Sequence, residues 1–280
     1  MSNAILCPSC RKLISKDETE CPHCGHRIAV GRTAQPLIQV FASPESTIQI
    51  FTGFTVLMYI GSLLLDPKSA LSMSQGILGF GSPSIQSLYV LGLTGGAAWG
   101  CGHLWTLLTA TFLHGSLLHI FFNLSWLRSI GLINAHIFGP ARFINIYIIT
   151  GMGGFLASNL WSNTPTIGAS CALFGLMGVL IAFGRRRGGE LGKNLNRQAW
   201  SWAIVGLCIG FAIPQVNNAG HIGGLISGYA LAYILPAREH KRESIIEWII
   251  ALSLIAFTLA GFLLSFWRMQ GIFSLGIPTC

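Results

Sequence analysis

Carboxylates are nearly missing from this chain. Its 280 residues include nine Asp and Glu, and none falls between Asp66 and Glu190, so 123 consecutive residues carry no side-chain acid. The gap excludes a paired-aspartate site within it, and no H-E-x-x-H run is present to hold a catalytic metal. Charge of either sign is scarce: 9% of residues are charged, against about 25% in a soluble domain, while 52% are hydrophobic. That composition excludes a soluble globular domain and points to a membrane protein. The first 47 residues contain no apolar core of suitable length, so no signal peptide is expected.

What is present begins with cysteine. Cys7-Pro-Ser-Cys10 and Cys21-Pro-His-Cys24 are two C-x2-C knuckles, the spacing a tetrahedral zinc needs from four thiolates. A segment of 30 residues cannot hold a fold through its own core, so residues 1–30 are expected to form a small four-cysteine zinc ribbon with structural Zn2+. The competing reading, two disulfides or unpaired thiols, is disfavoured by the positive charge around the knuckles, which argues for the reducing cytoplasmic side. Basic and acidic residues nearly balance there and leave no basic stripe, so no nucleic acid is expected. An unknown cytoplasmic partner is the expected role for the ribbon. Residues 31–47, with Pro36 and Pro44, read as a linker.

Seven apolar stretches follow, at about 48–65, 116–135, 143–161, 170–183, 199–213, 219–235 and 245–266. Residues 67–103 are Gly- and Ser-rich, are broken by Pro83, and read as a long, partly embedded loop. If the stretches alternate across a bilayer, fourteen of the seventeen Lys and Arg fall on one side. The positive-inside rule then puts the N-terminus in the cytoplasm and the C-terminus outside. The expected fold class is an all-α polytopic membrane protein.

Ionisable groups inside such spans are costly and count as functional candidates. Ser170, in Gly168-Ala169-Ser170-Cys171, sits where a loop enters the fourth stretch, near the external face. By itself it could be a helix cap. His221, in Asn218-Ala219-Gly220-His221-Ile222-Gly223-Gly224, lies at the same depth on the sixth stretch. Gly220, Gly224 and Gly228 form a ridge of small residues, and Cys171 with Gly175 begins another, so the two helices can approach closely. With no acid nearby, the chemistry left is a Ser170–His221 dyad without the third member of a triad. Cys171 is a second possible nucleophile. His119 and Asn123, spaced i and i+4, can point at one spot and with the Ser170 amide would form an oxyanion hole. His114 is expected to brace the preceding loop.

Together, His114-x4-His119-x3-Asn123, Gly168-Ala169-Ser170 and Gly220-His221-x2-Gly224 resemble the rhomboid intramembrane serine proteases. The resemblance covers about residues 48–240 and implies a six-helix core over that range, with residues 241–280 adding one C-terminal helix in a six-plus-one form. It implies cleavage of transmembrane-anchored protein substrates, no cofactor for catalysis, and a cavity opening to the external side. Phe174 stands where the family commonly stacks an aromatic ring on the catalytic imidazole. Thr106 after Trp105, and Ala135, replace an Arg and a Glu common in the family, so the first loop is expected to be held by apolar packing. A bacterial plasma membrane is the expected location. A catalytically inactive rhomboid-like adaptor that binds transmembrane helices is the alternative. A small-molecule transporter is weaker, because the two halves show no repeat.

Overall fold

Two units make up the chain, Met1–Ala42 and Ser43–Cys280. The computed structural model describes residues 4–7, 11–15, 18, 21–24, 41, 43–70, 81–213, 215–235 and 243–269. In the first unit, β1 (Ala4–Leu6) pairs antiparallel with β2 (Leu13–Ser15), with Ile5 opposite Ile14. Beside the strands, Cys7 N–H donates to the Lys12 carbonyl at 2.8 Å, and Arg11 N–H donates to the Cys7 carbonyl at 2.9 Å. Cys7, Ile14 and Cys21 are its buried cluster.

The second unit is helical. Its elements are α1 (Pro44–Leu65), α2 (Pro67–Ala70), α3 (Ile85–Val90), α4 (Gly96–Gly100), α5 (Thr106–Thr109), α6 (Leu117–Trp126), α7 (Leu132–Phe138), α8 (Pro140–Trp161), α9 (Ser170–Arg187), α10 (Gly189–Ala212), α11 (Asn218–Leu231) and α12 (Ile245–Met269). A single π turn, Leu127–Gly131, joins α6 to α7. Helix α1 begins earlier than the apolar pattern at residue 48 suggests, so residues 44–47 belong to it and not to a linker. Ser43 and Ser46 form a reciprocal cap there and Pro44 opens the first turn, signals that hydropathy alone does not register.

The seven apolar stretches translate unevenly into membrane-length helices. Among the described residues, α1, α8 and residues 245–268 of α12 are long and apolar enough to cross a bilayer. A fourth span results if residues 106–112 and 117–138, which meet at 94°, count as one broken element. Helix α11 has only 14 residues, α9 ends in Arg185-Arg186-Arg187, and the first half of α10 is polar. Helix α9 does not need a lipid-facing stripe. It is buried from Cys171 to Gly184, with α8, α10 and α11 packed around it.

Contacts at both ends fix the relative directions of these helices. Phe138, just before α8, packs on Phe183 near the end of α9, with ring centroids 5.1 Å apart. Arg186 reaches the carbonyls of Ala232 and Leu235 beyond α11. Helix α9 is therefore parallel to α11 and antiparallel to α8, and its first residue shares an end with the start of α11 and the close of α8.

The loop before α6 is packed apolarly, with Leu107 and Ala110 buried against Phe155 and Trp99 beside them, and it is also held by hydroxyls, which the expectation of apolar packing left out. The Thr106 hydroxyl donates to the His103 carbonyl at 2.6 Å and lies 3.1 Å from the Thr94 hydroxyl. Thr94 also accepts from the Asn159 amide at 3.0 Å, and its carbonyl accepts from Thr166 N–H at 2.8 Å. Short polar side chains meet the backbone's demand for partners without the cost of a buried charge.

The exception is the docking of α12. The Arg142 guanidinium, 3% exposed, forks onto Glu247 (Nε to Oε1 2.6 Å, Nη2 to Oε2 3.0 Å) and donates to the Phe138 carbonyl at 3.0 Å. Its backbone N–H donates to Glu243 at 2.9 Å. At the other end of α12, Trp105 Nε1 donates to Ser265 at 2.8 Å. Burial pushes the Glu243 carboxyl up to about 6, against the lowering effect of Arg142. A raised carboxyl favours the fold fully below the unfolded value near 4.5 and loses that contribution as pH rises through 6. The wild type should therefore lose stability relative to Glu243→Gln between pH 5 and pH 7.5, by up to about 2 kcal/mol, read as a difference of thermal midpoints.

Candidate active site

Gly168 sets the entry to α9. Its φ is +119°, a left-handed value that side chains resist, and a Cβ placed there would lie 2.7 Å from His119 Nε2. Glycine at this position both turns the chain and admits the imidazole. Gly168 N–H donates to the Ala110 carbonyl at 2.9 Å, which anchors the turn to the segment before α6. Ser170 then occupies the first position of α9. The cap position is Ala169, with no side-chain cap bond, so the Ser170 hydroxyl is not used for capping.

That hydroxyl lies 2.9 Å from His221 Nε2. The pairing spans 51 residues and depends on how closely α9 and α11 approach. A Cβ on Gly224 would strike the Cys171 carbonyl, and one on Gly228 would strike the Gly175 carbonyl. Gly220 sits over Cys171, where a Cβ would come 2.9 Å from Sγ. Helices meeting backbone to backbone leave the two side chains at their shared end within hydrogen-bond range. Cys171 is 2% exposed and packed into this contact, so the thiol serves the helix interface and is not presented as a second nucleophile.

Phe174, one turn beyond Ser170, lies flat on the His221 ring, with centroids 4.3 Å apart and planes 11° apart. Trp126 of α6 stands behind Phe174 at 6.4 Å, and a Cβ on Gly206 of α10 would meet both rings. Four helices thus hold one imidazole. His221 is 7% exposed, and its Nδ1 has no hydrogen-bond partner among the described residues. Acceptance by Nε2 from Ser170 would leave the proton on Nδ1 with no acid to orient it.

His119 Nδ1 accepts from Gly115 N–H at 3.2 Å, which leaves Nε2 as the protonated nitrogen, directed at Gly168. Asn123 is buried, and its amide donates to the His119 backbone carbonyl at 2.8 Å. One of its two amide hydrogens is engaged on its own helix and the second is free. The two side chains share a face, and the His119 ring lies against the turn that carries Ser170. His114 is fully buried with its ring 4.9 Å from that of His119, so it packs on the imidazole rather than on the loop alone. Asn217 was not singled out by sequence reasoning, although an Asn just ahead of an apolar helix is a cap signal. It caps α11 and reaches across to the loop before Ser170.

In the first unit, the sulfur atoms of Cys7, Cys21 and Cys24 lie within 4.8 Å of one another, and Cys7 and Cys24 are 3.8 Å apart. Cys10 lies outside the described residues. About 3.8 Å is the edge of a tetrahedron with 2.3 Å zinc–sulfur bonds, so these thiols fit such an ion.

A polytopic helical membrane protein with a hydroxyl–imidazole pair at one end of its bundle is the class that this fold and site define. The family model described as Rhomboid domain matches residues 101–238. Over 155 residues the chain is 34% identical to the rhomboid protease GluP of Bacillus subtilis, covering 55% of this chain and 31% of GluP. It is 31% identical over 212 residues to RHOMBOID-like protein 5 of Arabidopsis thaliana, covering 67% and 65% of the two chains. It is 32% identical over 156 residues to Inactive RHOMBOID-like protein 8 of the same plant, covering 53% and 44%. The aligned stretch thus spans from about a third to two thirds of each relative's length. The chain belongs to the rhomboid family.

Gly228→Val should push α11 away from the Gly175 carbonyl. A loss of about 2 kcal/mol or more is expected for overpacking against backbone, read by thermal unfolding in detergent, while Gly53→Ala, with open space at its Cβ inside a helix, should not lower the midpoint.

Proposed function

We propose that this protein is an intramembrane serine endopeptidase that cleaves transmembrane-anchored substrates through Ser170 and His221. The observation that carries this reading is the 2.9 Å contact between Ser170 Oγ and His221 Nε2, with no carboxylate in the chain from 67 to 189 around the serine or from 191 to 238 around the histidine. As Ser170 Oγ attacks the scissile carbonyl carbon, His221 Nε2 takes its proton. The resulting oxyanion accepts from the Ser170 N–H, His119 Nε2–H and the free Asn123 amide hydrogen. One such donor is typically worth about 3 to 4 kcal/mol of barrier. Collapse of the intermediate expels the amine, which takes the proton back from His221. Water then repeats the sequence on the acyl-enzyme, with His221 again as base and then acid. Catalysis needs no cofactor.

The six-plus-one arrangement is part of the proposal: a core over residues 48–240, extended back to Pro44, followed by α12 within residues 241–280. The end that carries Ser170 faces outward, and Arg142 and Arg185–Arg187 face the cytoplasm. Residues 1–30 form a cytoplasmic zinc ribbon in which Cys7, Cys21 and Cys24 are joined by Cys10.

Three measurements test these readings. Wild type and Ser170→Ala, reconstituted with a fluorogenic transmembrane peptide, should differ by at least about 10³-fold in kcat. A fluorophosphonate should label wild type only. Equal rates, or no labelling of wild type, would leave the helix-binding adaptor suggested by similarity to the inactive relative. Elemental analysis should find about one zinc per chain, lowered in Cys21→Ser; a metal-free wild type would exclude the ribbon.

A further inference from the structure

We infer that Asn217 is a positioning residue that clasps the loop entering the Ser170 helix to the start of the His221 helix and so sets the register of the pair. The inference rests on the Ser170–His221 reading above. Asn217 is the cap of α11, four residues before His221, and its Oδ1 accepts from Gly220 N–H at 3.4 Å. The cap needs only that oxygen, and a serine would supply one. The nitrogen half of the side chain is therefore free for something else, and it points across to another part of the fold.

Asn217 Nδ2 faces four hydroxyls: Ser158 at 2.7 Å, Thr164 at 3.2 Å, Thr166 at 3.3 Å and Ser162 at 3.4 Å. An amide carries two hydrogens, so the four compete for them. The shortest contact is to Ser158, fully buried near the end of α8, which also lies 3.2 Å from the Thr166 hydroxyl. The other three hydroxyls belong to the loop that reaches Gly168 and Ser170 within a few residues. Thr166 is in turn fixed to Thr94 through its N–H at 2.8 Å. One side chain thus meets the end of α8, the loop before α9 and the first turn of α11. Ser170 and His221 sit one step beyond the last two.

The small-residue contact below fixes how far apart the helices stand, but it does not fix how each end turns. A displacement of about 1 Å at a reacting pair can cost on the order of 100-fold in rate, and the clasp restrains that displacement from the side of the loop.

Three full-length variants in nanodiscs separate clasp from cap. Asn217→Ser keeps the cap oxygen but is too short to cross. Asn217→Asp keeps the cap, and its carboxylate can accept from the same hydroxyls. Ser170→Ala is the control for labelling. Hydrogen exchange of residues 162–170 and 217–222 is read beside fluorophosphonate labelling and peptide kinetics. Asn217→Ser should speed exchange in both segments and lower labelling and kcat on the order of 10-fold, with KM nearly unchanged; Asn217→Asp should restore most of the labelling. Faster exchange confined to residues 217–222, or labelling of Asn217→Ser at the wild-type rate, would overturn the inference. Coupled exchange in a wild type that no fluorophosphonate labels would support the clasp while sinking the hydrolase reading. An intact labelling reaction with uncoupled exchange would do the reverse.

Discussion

The whole arrangement depends on two helices touching along their backbones. Lipid tails offer no hydrophobic gain when helices associate, so α9 and α11 must hold their contact through packing, and only small residues permit that at this distance. Gly220, Gly224 and Gly228 on one helix lie over Cys171 and Gly175 on the other. The thiol at Cys171 is absorbed because Gly154 and Gly220 leave room for it. From this contact follow the burial of α9 on all sides and the meeting of a hydroxyl and an imidazole at its head.

Scarcity of charge shapes everything else at that end. An imidazole in a serine hydrolase is commonly oriented by a carboxylate; here the ring is held by the face of Phe174, with Trp126 and Gly206 behind it, and its second nitrogen has no partner among the described residues. The loops around it follow the same pattern, with Thr94, Thr106, Ser158 and Thr166 doing what charged pairs do in soluble proteins. Charge appears where α12 docks. The fork of Arg142 on Glu247 is backed by a further guanidinium N–H that donates to the Phe138 carbonyl. Such a pair contributes more to which way α12 seats than to net stability.

The first unit obeys different rules. Among its described residues, two three-residue strands and one small cluster bury little apolar surface, and three thiols lie within 4.8 Å of one another. Its chemistry is local, and it draws on the knuckle spacing instead of on long-range packing.

Much was legible in the sequence for reasons that act over a few residues. Hydropathy marked the long apolar stretches, and the 123-residue gap in carboxylates narrowed the chemistry until Ser170 and His221 stood out as candidates. The early start of α1 was missed because its cap lies outside the apolar pattern. Phe174 was read through a family likeness, since an aromatic one turn into a helix is otherwise ordinary packing. The partnership of Arg142 with Glu247, 105 residues away, and the reach of Asn217 to Ser158, 59 residues away, left no local mark. Composition and spacing by themselves determined the class of protein and the groups capable of chemistry, because each is a property of neighbouring residues. Which hydroxyl faces which nitrogen, and at what distance, was decided only when helices far apart in the chain packed side by side.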